Sequence, residues 1–334
     1  MANLQAYHTF HCAVDAPSVT EITSTDQVKS LIETGDLHPE RSLLLGGGSN
    51  VLFINSVNKP VFLNRIKERS WDLTDDGLIL ATFGGGEIWH EAVQWSLDVG
   101  FSGLENLALI PGTCGAAPIQ NIGAYGVELK DVFHSLQAID RISGEQIVLH
   151  KADCQFGYRD SIFKREFKDQ LLITHVSLIL NRQEHLNTSY GNIEKQLELM
   201  NLEKPWTARN VFDAVVAVRR SKLPDPGELG NAGSFFKNPV ISTSYYNELA
   251  ERFPRLPGYP VNVDETKVPA AFLIDYCGFK GYRVGDAGCY EKQPLVLVNY
   301  GSATGAEILH LAGTIQQKVR ETFGIEIIPE VNVM

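Results

Sequence analysis

A hydroxyl, a cation and two amides fall within residues 230–239, which read GNAGSFFKNP. Ser234 lies at the centre of this stretch. Its glycines permit close approach of the backbone to a ligand, whereas Phe235 and Phe236 are too apolar to remain in water. We therefore expect a flexible loop that its phenylalanines pin to the core. Taken alone, such a loop fits either a binding site or a surface turn in which Ser234 hydrogen-bonds to its neighbours.

Two other segments are suited to hold a ligand through their backbones. Residues 46–50 (GGGSN) follow an apolar run, and their amides can converge on an anion without a side-chain cation. Residues 110–126 are rich in small side chains, which lets a backbone lie against a large planar cofactor. Each segment alone could equally be a structural turn.

Several common site motifs are missing from the sequence. The glycine runs do not complete a Rossmann fingerprint or a P-loop, and no serine lies in a G-x-S-x-G elbow. His90-Glu91 lacks the second histidine that a zinc protease needs, so we expect no metal.

Length and charge limit the class of protein. At 334 residues the chain predicts two or three domains. Its 29 basic against 40 acidic residues give a net charge of -11, which argues against general nucleic-acid binding. The cysteines are scattered without C-x-x-C spacing, so reduced thiols are expected. Because neither a signal peptide nor a long apolar run is recognisable, we expect a cytoplasmic protein outside the membrane.

The apolar pattern predicts the elements that position these segments. Short runs predict strands over residues 43–45, 61–63, 78–83 and 171–180. Helical spacing predicts helices over 87–97, from the N-cap Thr207 to 220, from Pro269 to Gly278, and from 302 to Gly324. Pro224 should stop the second of these helices, and Glu87 suits the positive end of the first.

Together these segments resemble one family, the FAD-dependent UDP-N-acetylenolpyruvoylglucosamine reductases of bacterial cell-wall synthesis. The resemblance spans nearly the whole chain and rests on these matching stretches: 46–50, 103–106 (GLEN), 110–112 (IPG), 118–126 (PIQNIGAYG), 158–161 (YRDS), 230–239 and 329–331 (PEV).

The resemblance implies an α+β fold: an FAD-binding domain of the vanillyl-alcohol-oxidase (PCMH) type in two subdomains, followed by an α+β substrate-binding domain. The implied boundaries are 1–65 with a returning segment 320–334, then 66–214, then 215–319. The cofactor-binding residues it implies are Gly46, Gly47, Gly48, Ser49, Asn50, Pro111, Gly112, Gly115, Ile119, Gln120, Asn121, Ile122 and Gly123. Ala116, Ala117 and Gly47 depart from residue types frequent in the family, which could remove hydrogen bonds to FAD without removing the backbone cradle.

The resemblance also implies the chemistry. NADPH reduces FAD, and the enolpyruvyl ether then accepts hydride and a proton to give UDP-N-acetylmuramate. Arg159 and Glu330 would stabilise the developing enolate, and Ser234 would donate the proton. From the residues alone, Arg159 reads as a surface cation beside Asp160. The apolar surroundings of Glu330 in IIPEV predict a partnered or protonated carboxyl.

Substrate contacts are implied for Tyr125, Tyr190, Arg219, Lys222, Asn238 and Gln293, with Tyr190 marking the subclass whose tyrosine loop closes over the substrate. Arg219 and Lys222 could instead only stabilise a helix C-terminus. The expected partners are the UDP-sugar and NADPH, and the chain is expected to act as a monomer. The alternatives are a different flavin oxidase or dehydrogenase on this fold, or a flavin- or nucleotide-binding protein without catalysis.

Overall fold

The computed structural model describes residues 1–182 and 185–334, which form two compact units. The first unit contains Met1–Ala2, Ala16–Gly48 and Asn58–Ser221. The second contains Asn3–Asp15, Ser49–Val57 and Lys222–Met334. One unit boundary thus falls between Gly48 and Ser49, inside residues 46–50, which are called the glycine loop below.

Short strands alternate with helices, and the described residues include 3-10 turns at Gln5–Tyr7, Glu105–Leu107 and Ile162–Lys164. The helices are α1 (Thr25–Glu33), α2 (Trp89–Asp98), α3 (Leu129–Val132), α4 (Ile193–Leu199), α5 (Ala208–Lys222), α6 (Thr243–Arg252), α7 (Ala270–Tyr276) and α8 (Gly305–Phe323). The strands are β1 (Ala2–Asn3), β2 (Asp15–Ala16), β3 (Val19–Ile22), β4 (Leu43–Leu45), β5 (Val51–Leu52), β6 (Val61–Asn64), β7 (Arg69–Leu73), β8 (Ile79–Gly84), β9 (Gly123–Ala124), β10 (Val127–Glu128), β11 (Phe133–Asp140), β12 (Gln146–His150), β13 (Leu171–Leu180), β14 (Gly230–Ser234), β15 (Val240–Ser242), β16 (Tyr259–Pro260), β17 (Glu265–Lys267), β18 (Arg283–Val284), β19 (Ala287–Cys289), β20 (Val296–Asn299) and β21 (Asn332–Val333). Within the described ranges, every helix is too short or too polar to cross a membrane.

An antiparallel sheet forms the main layer of the first unit, with strand order β12-β11-β13-β8-β7. The predicted strand over 171–180 is confirmed as β13, which pairs with β11 on one side and β8 on the other. Its apolar residues join α2 and α5 in one buried cluster that includes Phe83, Trp89, Val176 and Val215. This layer supports the segments that follow β8 and α2.

A smaller parallel sheet, in the order β3-β6-β4, lies in the same unit and is tied to the main sheet by Arg141. The Arg141 side chain is buried and donates from Nε to Leu37 O at 2.9 Å, from Nη1 to Asp169 O at 2.6 Å and from Nη2 to Ser42 Oγ at 2.9 Å. Burial lowers the pKa of Arg141 to about 10, although nearby Asp169 opposes the shift. Since each of its three nitrogens donates at least one hydrogen bond, the cost of burying this cation is offset.

The second unit is built on an antiparallel sheet in the order β14-β20-β19-β18. Helix α8 packs against β19, β20 and α7. A capping box between Thr304 and Glu307 begins α8, and Gly324, with φ of 66°, ends it. The prediction that this helix stops at Gly324 is confirmed.

Two N-terminal segments belong to the second unit because they pair with its C-terminal part. Asn231 N donates to Thr9 O at 2.8 Å, and β21 runs parallel to β5 with Asn332 opposite Val51. The chain therefore returns to its N-terminal region at its last strand.

The helix predictions hold with small shifts at their ends. Thr207 Oγ1 accepts a bond from Asn210 N at 3.2 Å, and α5 ends at Lys222, before Leu223-Pro224. Helix α2 begins at Trp89, two residues later than predicted. Glu87 lies directly before the N-cap Ile88 rather than in the helix, and its buried carboxylate lies 2.6 Å from Arg69 Nη2.

We predict that Arg141→Met lowers the free energy of unfolding by about 3 kcal/mol, because it leaves the buried carbonyl oxygens of Leu37 and Ser42 without this donor. Urea unfolding measures the change. The exposed Arg255→Met is the control and should shift the free energy by less than about 0.5 kcal/mol. Equal stability of the two variants would contradict the structural role given to Arg141.

Candidate active site

The glycine loop lies directly against the second small-residue segment within the first unit. A Cβ added at Gly46 would lie 2.5 Å from Thr113 Oγ1, and one at Gly47 would lie 2.9 Å from Gly112 Cα. Only glycine allows backbones to approach this closely. Two segments that the sequence predicts separately as cofactor-binding are thus brought together.

Thr113 lies at this contact and has a buried hydroxyl, Oγ1, with no hydrogen-bond partner among the described residues. Leaving a buried hydroxyl unpaired is costly, so such a group usually marks a place for a ligand or water. The phosphates or the polar edge of a bound FAD would supply an acceptor, so these residues fit the cofactor. Sequence reasoning did not single out Thr113, because one threonine in a small-residue segment forms no pattern.

The second small-residue segment, residues 110–126, is called the cofactor segment below. Backbone hydrogen bonds join it to the residues that lead into α2. Cys114 N donates to Glu87 O at 2.8 Å, and Trp89 N donates to Gly112 O at 3.0 Å. The Glu87 carboxylate is in turn fixed by Arg69, whose Nε lies 2.7 Å from Oε2. The backbone facing Gly46 and Gly47 therefore has little freedom to move.

The rest of the cofactor segment is anchored by Asn121, a buried residue with φ of 44°. Its Nδ2 donates to Gly157 O at 2.9 Å, and its Oδ1 accepts from Lys130 N at 3.0 Å. Of the other cofactor candidates here, Gly115 and Ile122 are buried, Gly112, Gln120 and Gly123 are half-buried, and Pro111 and Ile119 are exposed.

Arg159 is directed at the cofactor segment by a tight turn in which its own φ is 53°. Its Nη2 donates to Gly123 O at 2.6 Å, and its Nη1 lies 3.4 Å from Asn121 O. Arg159 is half-buried, and its neighbour Asp160 forms an ion pair with Arg165. A left-handed residue held by carbonyl oxygens is typical of a functional position.

Arg219 and Tyr125 form an electrostatically coupled pair in the same unit. Burial lowers the pKa of the Arg219 guanidinium; Tyr125 opposes that shift, and the positive charge of Arg159 adds to it. Burial raises the pKa of the Tyr125 phenol, against the effect of Arg219. Arg219 Nε donates to Leu109 O at 3.2 Å, and it forms no ion pair with a carboxylate in the described part of the chain. Its charge is thus available to an anionic ligand.

The loop that carries Tyr190 is fastened to the turn at Tyr125 by Asn106. Asn106 Nδ2 donates to Tyr125 O at 3.1 Å and to Asn187 O at 2.8 Å. Asn187 Nδ2 lies 3.4 Å from Gly126 O, and Tyr190 itself is exposed. Asn106 belongs to a motif of the family resemblance, but its bonding could not be read from the sequence.

In the second unit, Ser234 ends a strand rather than lying in a flexible loop. Residues 230–234 form β14, so the loop expectation is wrong for this half of the stretch. Pairing with β20 is interrupted between Asn231 and Ser234, and Asn231 Oδ1 accepts from Gly233 N at 2.9 Å inside this bulge. Bulges redirect side chains, and here the Ser234 side chain is exposed.

Glu330 lies beside the end of β14. Its backbone N donates to Phe235 O at 2.8 Å, so its chain runs next to Ser234. Asn50 Nδ2 lies 3.3 Å from Glu330 O, which brings the end of the glycine loop to the same place. Glu330 is half-buried, and a partnered or protonated state of its carboxyl stays a prediction. Its neighbour Ile328 is exposed, which makes the surroundings less apolar than the sequence suggests.

The remaining substrate candidates of the second unit lie at loop and helix ends. Lys222 is exposed at the end of α5. Asn238 Oδ1 accepts from Ala270 N at 3.0 Å and so fixes the start of α7. Gln293 Oε1 lies 3.4 Å from Leu295 N. These bonds orient both amides, and their contacts with substrate stay a prediction.

Comparison with known proteins identifies the class. Residues 16–150 match the FAD binding domain family, and this range contains the Gly46–Gly112 contact and the segment that Asn121 anchors. The fold and this site define a flavin-dependent oxidoreductase. The predicted α+β fold and the predicted cofactor, FAD, are confirmed.

Residues 225–334 match the UDP-N-acetylenolpyruvoylglucosamine reductase C-terminal domain. Reductases of that name from Flavobacterium johnsoniae and Burkholderia ambifaria are each 45% identical to the chain, covering 99% and 98% of it and 98% and 94% of their own lengths. The chain belongs to the UDP-N-acetylenolpyruvoylglucosamine reductase family, as the motifs predict.

A solved structure supports the fold. The crystal structure of UDP-N-acetylenolpyruvylglucosamine reductase from Thermus caldophilus is similar to this chain with a TM-score of 0.68. The similarity covers 99% of this chain and 97% of the other at 23% identity.

We predict that Gly47→Ala raises the Kd for FAD by roughly tenfold or more, because the added methyl group meets the Gly112 backbone. The ratio of flavin to protein absorbance after purification and dialysis measures the loss. Gly313→Ala in α8 is the matched control, since a Cβ there meets nothing within 4 Å. Full retention of FAD by Gly47→Ala would show that the loop does not hold the cofactor.

Proposed function

We propose that this enzyme reduces UDP-N-acetylglucosamine enolpyruvate to UDP-N-acetylmuramate at the expense of NADPH, a step in peptidoglycan precursor synthesis. The observation that carries this proposal is the 45% identity to reductases of this family over 99% of the chain. The proposal is also supported by a group of neighbouring residues in the second unit. Asn50 of the glycine loop lies there beside two candidate catalytic residues, Ser234 and Glu330.

FAD is held mainly by the backbone in this proposal. Residues 46–50 would bind its diphosphate through their amides, and residues 111–123 would line the remainder. Thr113 Oγ1 gains the partner that it lacks. When bound, FAD accepts hydride from NADPH and supplies it to the enolpyruvyl double bond.

Arg159 and Glu330 stabilise the charge that develops when the double bond is reduced. Addition of hydride at C3 of the enolpyruvyl group places negative charge on C2 and its carboxylate. A cation or hydrogen-bond donor aimed at this charge lowers the barrier, because the charge is absent from the ground state. The Arg159 guanidinium is held by Gly123 O, so its orientation is fixed before substrate arrives.

Ser234 donates the proton to C2. A serine hydroxyl is a weak acid, so this role requires a strong local field and accurate placement. The bulge in β14 supplies the placement by turning the side chain outward. Lys237, three residues further along, would supply part of the field.

The UDP part of the substrate binds to cations and amides. Arg219 and Lys222 would meet its two phosphates, which an otherwise acidic chain must attract locally. Asn238 and Gln293 would hydrogen-bond to the nucleotide, and Tyr125 would order the sugar. Tyr190 would close over the substrate, as in the subclass with a tyrosine loop.

We further propose that the enzyme is a monomer that acts in the cytoplasm, without nucleic-acid or membrane partners. Five free cysteines, four of them buried, support a reducing compartment. The net charge of -11 disfavours nucleic acid. A domain division near residues 65 and 215, with residues 320–334 returning to the first part, remains a prediction.

Ser234→Ala should leave reduction of the flavin by NADPH intact but slow its reoxidation by the enolpyruvyl substrate by about 10²–10⁴-fold, because proton donation is lost. Anaerobic stopped-flow absorbance separates the two half-reactions. Ser30→Ala, at an exposed position of α1, is the control and should react like the wild type. Unchanged reoxidation in Ser234→Ala would remove this residue from the mechanism.

Lys222→Ala should raise KM for the UDP substrate by roughly tenfold with little change in FAD content, because one charge-assisted bond to a phosphate is lost. Steady-state kinetics at fixed ionic strength measure the effect. The exposed Lys29→Ala of α1 controls for the change in net charge. If both variants show the same KM, Lys222 does not contact the substrate.

A further inference from the structure

His90 has a defined bonding role although it belongs to no recognisable sequence motif. It lies in the first turn of α2, where its Nδ1 accepts a hydrogen bond from Leu109 N at 3.0 Å. Its ring stacks on Phe212 of α5 with a centroid distance of 5.4 Å and an interplanar angle of 2°. Both the position and the orientation of the imidazole are therefore fixed.

The bond to Leu109 requires a neutral His90. A backbone N–H can only donate, so Nδ1 must be an acceptor, and the ring proton must be on Nε2. Protonation of the ring would direct an N–H of the imidazole at the N–H of Leu109. Burial lowers the pKa of His90 from its ordinary value of 6.5, and Arg220 and Arg219 of α5 lower it further, against Glu91 of its own helix.

The backbone of Leu109 links His90 to Arg219 by two hydrogen bonds. Its φ is 56°, a left-handed conformation that a residue with a branched side chain rarely adopts unless its surroundings enforce it. His90 holds its N–H, and its carbonyl accepts the 3.2 Å bond from Arg219 Nε. Trp89 fixes the same stretch through Nε1, which donates to Leu107 O at 2.9 Å.

From this chain of contacts we infer that neutral His90 is a positioning residue for the substrate: through Leu109 it holds the Arg219 guanidinium toward a phosphate or carboxylate of the ligand. The inference rests on the proposed role of Arg219 in substrate binding. Loss of the acceptor on His90 frees Leu109 to leave its left-handed conformation, and the carbonyl that orients Arg219 moves with it.

Two substitutions distinguish the effect of the hydrogen-bond acceptor of His90 from the effect of its aromatic ring. His90→Phe keeps an aromatic ring against Phe212 but removes the acceptor, and it should raise KM for the UDP substrate about fivefold at pH 7.5 with unchanged FAD content. His90→Asn places an amide oxygen near the position of Nδ1 and should restore KM to within about twofold of wild type. Equal KM values for His90→Phe and wild type would overturn the inference.

The pH dependence gives a second test. Since the folded enzyme needs neutral His90 and its pKa is lowered, the bond is present at neutral pH and is lost as pH falls below 6.5 through that pKa. At each pH, we compare the KM of the wild type with the KM of His90→Asn. The ratio of wild type to variant should rise as the pH falls, because the imidazole becomes protonated whereas the amide does not titrate. A ratio that stays level while ¹⁵N spectra show His90 becoming protonated would contradict the role assigned to it.

A double-mutant cycle with Arg219→Met tests the route of the effect. If His90 acts through Arg219, His90→Phe should change KM less than twofold in the Arg219→Met background. A fivefold effect that persists there would overturn the inference.

The single variants show which proposal fails. If Arg219→Met alone leaves KM unchanged, the proposed substrate role of Arg219 fails. If Arg219→Met raises KM but His90→Phe does not, only the role of His90 fails. Absence of NADPH-driven reduction of the substrate by the wild type would count against the proposed function itself.

Discussion

Residues 112–115 are confined between two other stretches of backbone, and the cofactor site depends on that confinement. On one side, a Cβ at Gly47 would lie 2.9 Å from Gly112 Cα; on the other, a Cβ at Gly115 would lie 2.9 Å from Gly85 Cα. An added side chain at these points would force the backbone segments apart. The site thus takes its shape from main-chain atoms. The ion pair of buried Glu87 with Arg69 fixes the stretch that contains Gly85.

Carbonyl oxygens orient two cations of the first unit, Arg219 and Arg159. Arg219 donates to Leu109 O and Arg159 donates to Gly123 O. A carbonyl fixes the direction of a guanidinium without cancelling its charge, whereas a carboxylate would do both. For Arg219 this leaves a positive charge that an anionic substrate can use. An acidic chain can in this way keep a local attraction for phosphate despite its net charge.

The features that could be predicted from the sequence are those encoded by neighbouring residues. Thr207 as a cap, Pro224 as a stop and the β-branched run of β13 are local signals, and the structure contains all three. The family motifs likewise revealed the cofactor and the reaction. Strand β14 was missed because its glycines disfavour a strand, and its hydrogen bonds go to distant segments, β20 and Thr9.

The parts of the site that could not be predicted depend on contacts between distant segments. The acceptor role of His90 follows from the left-handed conformation of Leu109, which no residue type indicates. The position of Glu330 beside Ser234 follows from the bond of its N–H to Phe235 O. Thr113 is distinguished only by the lack of a partner for its hydroxyl in the folded chain. Such features arise from packing and register, so a motif can locate the segment but not the atom.

The parallel pairing of β21 with β5 has a consequence for synthesis of the protein on the ribosome. Met334 N donates to Leu52 O at 2.9 Å, and Ile54 N donates to Met334 O at 2.8 Å. Strand β5 therefore lacks its partner β21 until residues 332–333 have been synthesised. The first unit draws on no residue beyond Ser221 and can fold earlier. The Asn50 end of the glycine loop gains its bonds to Glu330 and Asn332 only after these residues have been synthesised.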